Sequence, residues 1–200
     1  LDKLIDPICK NNKIERDSLK IHIIEKDDIN AFALPNNHLV VYTGLITECK
    51  NQEALQGVLG HEIAHIENNH VMKKLSKEIG LSVMLSASTG GKGSVVVKEI
   101  LKSLSSSAYD RTLEKEADMT SVDYLLNANI NPEPFADFMF ELAQQNDLSD
   151  SLYWVSSHPE SEERAKYILN YLKGKKYKKE TTISSTAWES YKKLIKEKTN

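Results

Sequence analysis

Gly60-His61-Glu62-Ile63-Ala64-His65 is the stretch that decides how this 200-residue chain is read. It has the form H-E-x-x-H. A helix over residues 51–75 sets His61 and His65 one turn apart on the same face. Two imidazoles at that spacing grip one zinc ion from one side. Glu62 stands beside them, placed to take a proton from a water in the metal's open position. Ala54, Leu55, Val58, Leu59, Ile63, Ala64 and Ile66 cover most of the circumference, so the helix is expected in the middle of the domain. Asn51 is the expected N-cap, with Glu53 favourable in the first turn.

The flanks are read outward from that helix. On the N-terminal side, Leu4, Ile5, Ile8 and Ile14 mark an amphipathic helix over 1–18. Leu19, Ile21 and Ile23 then alternate with Lys20 and His22 as a half-buried strand does. Two further β-prone runs, 30–34 and 38–43, flank Pro35-Asn36-Asn37. That tripeptide is a turn signal, because Asn tolerates positive φ and Pro cannot continue a ladder. A small antiparallel sheet containing a hairpin is predicted.

On the C-terminal side, 79–85, 86–93 and 95–104 read as helix, glycine-rich loop and helix, with a flexible loop expected over 86–95. The Gly-Lys-Gly-Ser cluster lacks phosphate-loop spacing, and no strand precedes it. Helices follow over 109–127, 133–145 and 161–174, then a short one holding Trp188, Tyr191, Leu194 and Ile195. The Lys-rich run 173–179 reads as a solvated segment. The fold class is therefore α+β: a mainly helical single domain over 1–200 around a central buried helix.

Composition narrows the function. Apolar residues make up 40% and charged residues 28%, ordinary for a globular protein. The net charge of −3 is weak, and nothing in it points to nucleic acid as a partner. No apolar run is long enough to span a bilayer. The chain begins at Leu1 rather than Met, which leaves room for a targeting or anchoring segment ahead of it. Cys9 and Cys49 are too few and too far apart for a zinc–cysteine cluster; free thiols are favoured over a single disulfide.

A zinc hydrolase needs a third protein ligand. In Glu114-Lys115-Glu116-Ala117-Asp118, Glu114 can complete the set and Asp118 can accept a hydrogen bond from a ligand histidine. Acids four apart are equally at home on a solvated helix face, and Glu116, pointing elsewhere, is read that way. Ser157-His158-Pro159 is followed by Arg164. His158 can hydrogen-bond an oxyanion beside the metal, bind the metal directly, or be a loop histidine with no role. His22 and His38 are expected to face solvent. His70, five residues past His65 and off the ligand face, is read as structural.

Together these segments carry a resemblance. Asn30-Ala31-Phe32-Ala33-Leu34-Pro35 and Val40-Val41-Tyr42-Thr43-Gly44-Leu45 resemble the hairpin of the zinc metallopeptidase family that includes HtpX and the CaaX prenyl proteases. Gly60 to His65 resembles its metal motif. Arg111-Thr112-Leu113-Glu114-Lys115-Glu116-Ala117-Asp118 is similar to its R-x-x-E-x-x-A-D segment, and Ser157-His158-Pro159 with Arg164 to its S-H-P-x-x-x-x-R element. Four motifs occur in the family's order, and without a membrane span the chain looks most like the soluble, cell-envelope branch typified by BepA and LoiP.

The resemblance implies a zincin-like fold and one Zn2+ per chain. His61, His65 and Glu114 would be ligands in the gluzincin manner, Glu62 the general base, and Asp118 the support of a ligand. His158 would cap the zinc or hold the oxyanion, with Arg164 nearby. Asp110 stands where the family usually has Ser. The implied activity is endoproteolysis of unfolded or misassembled polypeptides in the bacterial periplasm or envelope, with peripheral membrane association or an N-terminal anchor. Substrate would lie extended along Asn30, Ala31, Phe32, Ala33 and Leu34. The alternative is a chaperone-like client-binding module whose capped zinc cleaves rarely. A deformylase-type hydrolase ranks lower, because its cysteine-ligand motif is absent.

Overall fold

The computed structural model describes residues 1–78, 93–106, 108–144 and 153–199. Helix α1 (Asp2–Asn12) and a 3-10 turn (Arg16–Ser18) precede strands β1 (Lys20–Ile24), β2 (Ala31–Leu34) and β3 (His38–Tyr42). Helices α2 (Thr43–Glu48), α3 (Gln52–Glu67), α4 (His70–Glu78) and α5 (Gly93–Ser106) follow. Then come α6 (Arg111–Asn127), α7 (Glu133–Gln144), α8 (Tyr153–Ser157), α9 (Ser161–Leu172) and α10 (Ser185–Thr199). The helix expected over 79–85, and most of the expected 86–95 loop, lie outside the described residues. No helix among the described residues is long and apolar enough to cross a membrane.

The first helix is shorter than its pattern suggested. Lys13 enters the left-handed region at φ 58°, which ends α1 before the 3-10 turn. The hairpin forms as read: Asn36 and Asn37 both take positive φ, and β2 pairs antiparallel to β3 with Phe32 opposite Val40. The sheet as a whole is mixed rather than antiparallel. Its order is β1-β3-β2, with β1 parallel to β3. The reason lies at Gly44, where any Cβ would sit 2.0 Å from the Asp27 carbonyl oxygen. Its bare backbone lets the 25–30 connection cross the end of β3, with Gly44 N–H donating to Lys26 O at 2.8 Å. The returning hairpin strand then fills the middle of the sheet.

Helix α3 begins where its cap requires, with Asn51 Oδ1 accepting from Ala54 N at 2.9 Å. From Gln52 to Ile66 every residue but Glu53 is buried, because α6, α7, α1 and β2 all pack against it. Gly57 permits the closest of these approaches, where a Cβ would meet Phe135 Cβ of α7 at 2.3 Å, and at Gly60 a Cβ would meet Ser121 Oγ of α6 at 2.7 Å. Ser121 in turn donates to Gly57 O at 2.8 Å, pinning α6 to the motif helix. The helix does not run on to residue 75. It stops at Asn68, Asn69 adopts φ 57°, and α4 restarts at His70 in a new direction.

At the far end, α10 spans fifteen residues, longer than predicted, and seats a buried Trp188 against α2. Cys9 and Cys49 are buried free thiols; burial pushes Cys9 up to about 11 and Cys49 higher still.

Candidate metal centre

Helix α3 turns His61 and His65 inward together, their Nε2 atoms 2.9 Å apart. The first turn of α6 brings Glu114 against them, with Oε1 3.3 Å from His65 Nε2 and Oε2 3.7 Å from His61 Nε2. His158 follows the short helix α8, its N–H bonded to Trp154 O at 2.8 Å before Pro159 ends the helical path. Its Nδ1 lies 2.9 Å from Glu114 Oε1 and 3.1 Å from His61 Nε2. The four residues each offer a ligand atom, and those atoms lie within 4.8 Å of one another.

Aromatic rings fix the imidazoles. Tyr109 stacks on His65 with centroids 4.0 Å apart, and Trp154 stacks on His158 at 5.0 Å.

Behind these donors stands a buried ionic clamp. Arg164, on α9, grips Asp118 with two nitrogens, at 2.8 and 2.7 Å, and reaches Glu114 Oε2 at 2.8 Å. It also donates to His158 O at 3.0 Å, so one guanidinium ties α6 to the loop bearing the fourth donor. Asp118 Oδ1 lies 2.8 Å from His61 Nδ1, and the Tyr167 hydroxyl bonds Oδ2. Burial alone would raise the Asp118 pKa, but Arg164 and His61 outweigh it and hold the carboxyl at about 2. Glu114 is held well below the carboxylate range against its burial by His158, Arg164 and His61. His65 is driven the other way, well below 6.5, by burial and the adjacent His61. Its lone pair is available at neutral pH.

Glu62 faces the opposite side. Its Oε2 accepts from the Ala33 N–H of β2 at 3.0 Å. Its Oε1 is buried without a hydrogen-bond partner among the described residues, 3.3 Å from His158 Nε2, which likewise has none among them. Such orphaned atoms in a buried site are costly unless a further group engages them.

The donor set fits a divalent metal. Three imidazole nitrogens and a carboxylate oxygen converge, which hydrogen bonds among themselves cannot satisfy at once. The residues are imidazole and carboxylate, as zinc prefers.

The structure thus gathers Glu62, His61, His65, Glu114, Asp118, His158 and Arg164. Of the 30–34 stretch, Ala33 reaches the cluster through its backbone, whereas Asn30 bonds Ser105 O at 3.2 Å. Asp110 lies apart, its carboxylate answered by Lys77 at 2.9 Å. Several neighbours escaped the sequence reading. Tyr167 was findable, being three residues after Arg164 and hence on its helix face. Tyr109 and Trp154 carry no local signal. His70 and Glu116 were set aside, yet His70 touches both His65, at 3.0 Å, and Glu116, at 3.2 Å.

The likeness to known proteins extends across every residue of this cluster. The family model described as Peptidase family M48 matches residues 1–172. The chain is similar to metalloprotease LoiP of Escherichia coli, 31% identical over 163 residues, covering 78% of this chain and 64% of that protein. It is similar to the mitochondrial metalloendopeptidase OMA1 of Bos taurus, 30% identical over 167 residues, 74% of this chain and 31% of the other. The beta-barrel assembly-enhancing protease of Yersinia pestis is 23% identical over 172 residues, 80% of this chain and 34% of its own length. The chain thus spans between about a third and two thirds of these relatives.

Proposed function

Since the chain belongs to peptidase family M48, we propose that it is a zinc metalloendopeptidase hydrolysing peptide bonds in unfolded or misassembled polypeptides of the bacterial cell envelope. The observation that carries the reading is the convergence of four buried donors beside a glutamate that has an unpartnered oxygen. The envelope setting is supported by the likeness to LoiP and to a protease named for β-barrel assembly, since such barrels are outer-membrane structures.

Zinc is the metal of this family, and when bound it supplies a Lewis acid that polarises the scissile carbonyl and makes water a better nucleophile near neutral pH. His61, His65 and Glu114 would hold it. Glu62 takes the proton of the attacking water on Oε1 and later delivers it to the leaving amine. Ala33 N–H on Oε2 keeps the carboxylate turned toward the cleft. Asp118 and Arg164 act from behind, orienting His61 and neutralising charge that would otherwise repel the carbonyl's developing negative charge. The substrate would lie along β2. Tyr42 N–H donates to Asn30 O at 3.0 Å, an alternation that turns the main-chain groups of Ala31 and Ala33 away from β3, and of these Ala33 N–H is already engaged by Glu62. Main-chain pairing there favours extended chains over particular side chains.

Replacing Glu62 by Gln should cut hydrolysis of an unfolded protein by about 10²–10⁴-fold. Unchanged turnover would sink the assignment.

Two observations favour a second reading, a client-binding module that cleaves rarely. His158 Nδ1 lies among the donors, and α5 packs against β2, which is itself buried. Both features suit a capped, closed site. A His158→Ala variant that hydrolyses faster than the parent supports the cap; a slower one supports oxyanion stabilisation by His158.

A further inference from the structure

His61 and His65 are supported in different ways. The Nδ1 of His61 meets the Asp118 carboxylate directly, at 2.8 Å. The Nδ1 of His65 meets another imidazole, His70 Nδ1, at 3.0 Å. The far nitrogen of that second ring, His70 Nε2, lies 3.2 Å from Glu116 Oε2. His65 and His70 are buried, while the Glu116 side chain is about half exposed.

Counting protons along this line leaves one arrangement. A neutral imidazole that offers the Nε2 lone pair carries its hydrogen on Nδ1. For His65 that N–H points at His70 Nδ1, which must then be the acceptor. The His70 hydrogen is thereby on Nε2, facing the Glu116 carboxylate, which accepts it. With His70 reversed, His65 would have to carry its hydrogen on Nε2, and its donor lone pair would point away from the cluster.

The backbone makes the contact possible. On an unbroken helix, five residues turn through about 500°, which would place His70 about 140° from His65. The stop at Asn68 and the positive φ of Asn69 redirect the chain and fold His70 back onto His65.

We propose that His70 and Glu116 form a two-imidazole relay that holds His65 in its metal-ligating tautomer. They are positioning residues, and the role rests on the reading of His65 as a zinc ligand.

The test uses the full chain loaded with zinc. Zinc affinity is read by competition with a chromophoric chelator, and the His65 tautomer from ¹⁵N shifts of its ring nitrogens. His70→Phe keeps a ring but no acceptor and should weaken zinc binding about 10–100-fold. His70→Asn restores an acceptor near the Nδ1 position and should recover part of that loss. Glu116→Ala, at a half-exposed site that leaves folding intact, should weaken zinc about tenfold and lower the Nδ1–H fraction of His65 in the zinc-free protein. Parent-like affinity and tautomer in both His70→Phe and Glu116→Ala would overturn the relay, as would Phe outperforming Asn, the order expected of packing alone. A His65→Ala variant with undiminished zinc affinity would instead refute the ligand reading itself.

Discussion

The two sides of the cluster differ in how completely their polar atoms are satisfied. Behind the donors, Arg164, Asp118, Tyr167 and His61 form a closed set in which both Asp118 oxygens have partners. Toward β2, Glu62 Oε1 and His158 Nε2 are buried with no hydrogen-bond partner among the described residues; between the two sides, Glu114 Oε2 is likewise without one and is met by the ionic contact with Arg164. A saturated network resists change and fixes geometry; an unsaturated one is where an incoming group gains most. On the proposed reading, the contrast divides the site into a side that would hold the metal's ligands in place and a side that would receive water and substrate.

Breaking the saturated side should have the largest effect. Arg164→Ala strands two buried carboxylates and should destabilise the fold by about 3–5 kcal/mol, measured by denaturant unfolding. Asp118→Asn keeps the shape but weakens the support of His61. Zinc affinity should fall about 10–100-fold, and the zinc-free protein should lose about 2 kcal/mol of stability at neutral pH.

Acid offers a milder probe. Asp118 sits at about 2 in the fold against an ordinary 3.8, so its folded pKa is depressed. Its contribution, about 2 kcal/mol, is therefore present above pH 3.8 and lost as pH falls through about 2. In the zinc-free protein the acid side of the stability curve should steepen over that window, and the Asp118→Asn variant should lack this component. Smallest of all is Asp110→Ser. The Lys77 pair it removes is exposed, so stability should move by less than about 0.5 kcal/mol and turnover should not move.

The sequence was most legible where the determinant is local. The i, i+4 histidines, the Asn51 cap and the two-Asn turn each depend on a few neighbouring residues, and each stands as read. What it hid was non-local or a matter of direction. The parallel pairing of β1 depends on a crossing permitted by Gly44, a packing fact invisible to strand alternation. The partners of Arg164 lie 46 residues away at Asp118, beyond any periodicity. The contact of His70 with His65 was not foreseen because its position was projected along a helix that Asn68 and Asn69 interrupt. Glu116 went with it, since a half-exposed acid takes on meaning only once its buried partner is known.

The division into a holding side and a reacting side is tested most directly by zinc content and turnover measured together on the parent, Glu62→Gln and Glu114→Ala. The account predicts one zinc per chain and hydrolysis in the parent, zinc without hydrolysis in Glu62→Gln, and loss of both in Glu114→Ala. Full zinc occupancy in Glu114→Ala, or loss of zinc in Glu62→Gln, would contradict it.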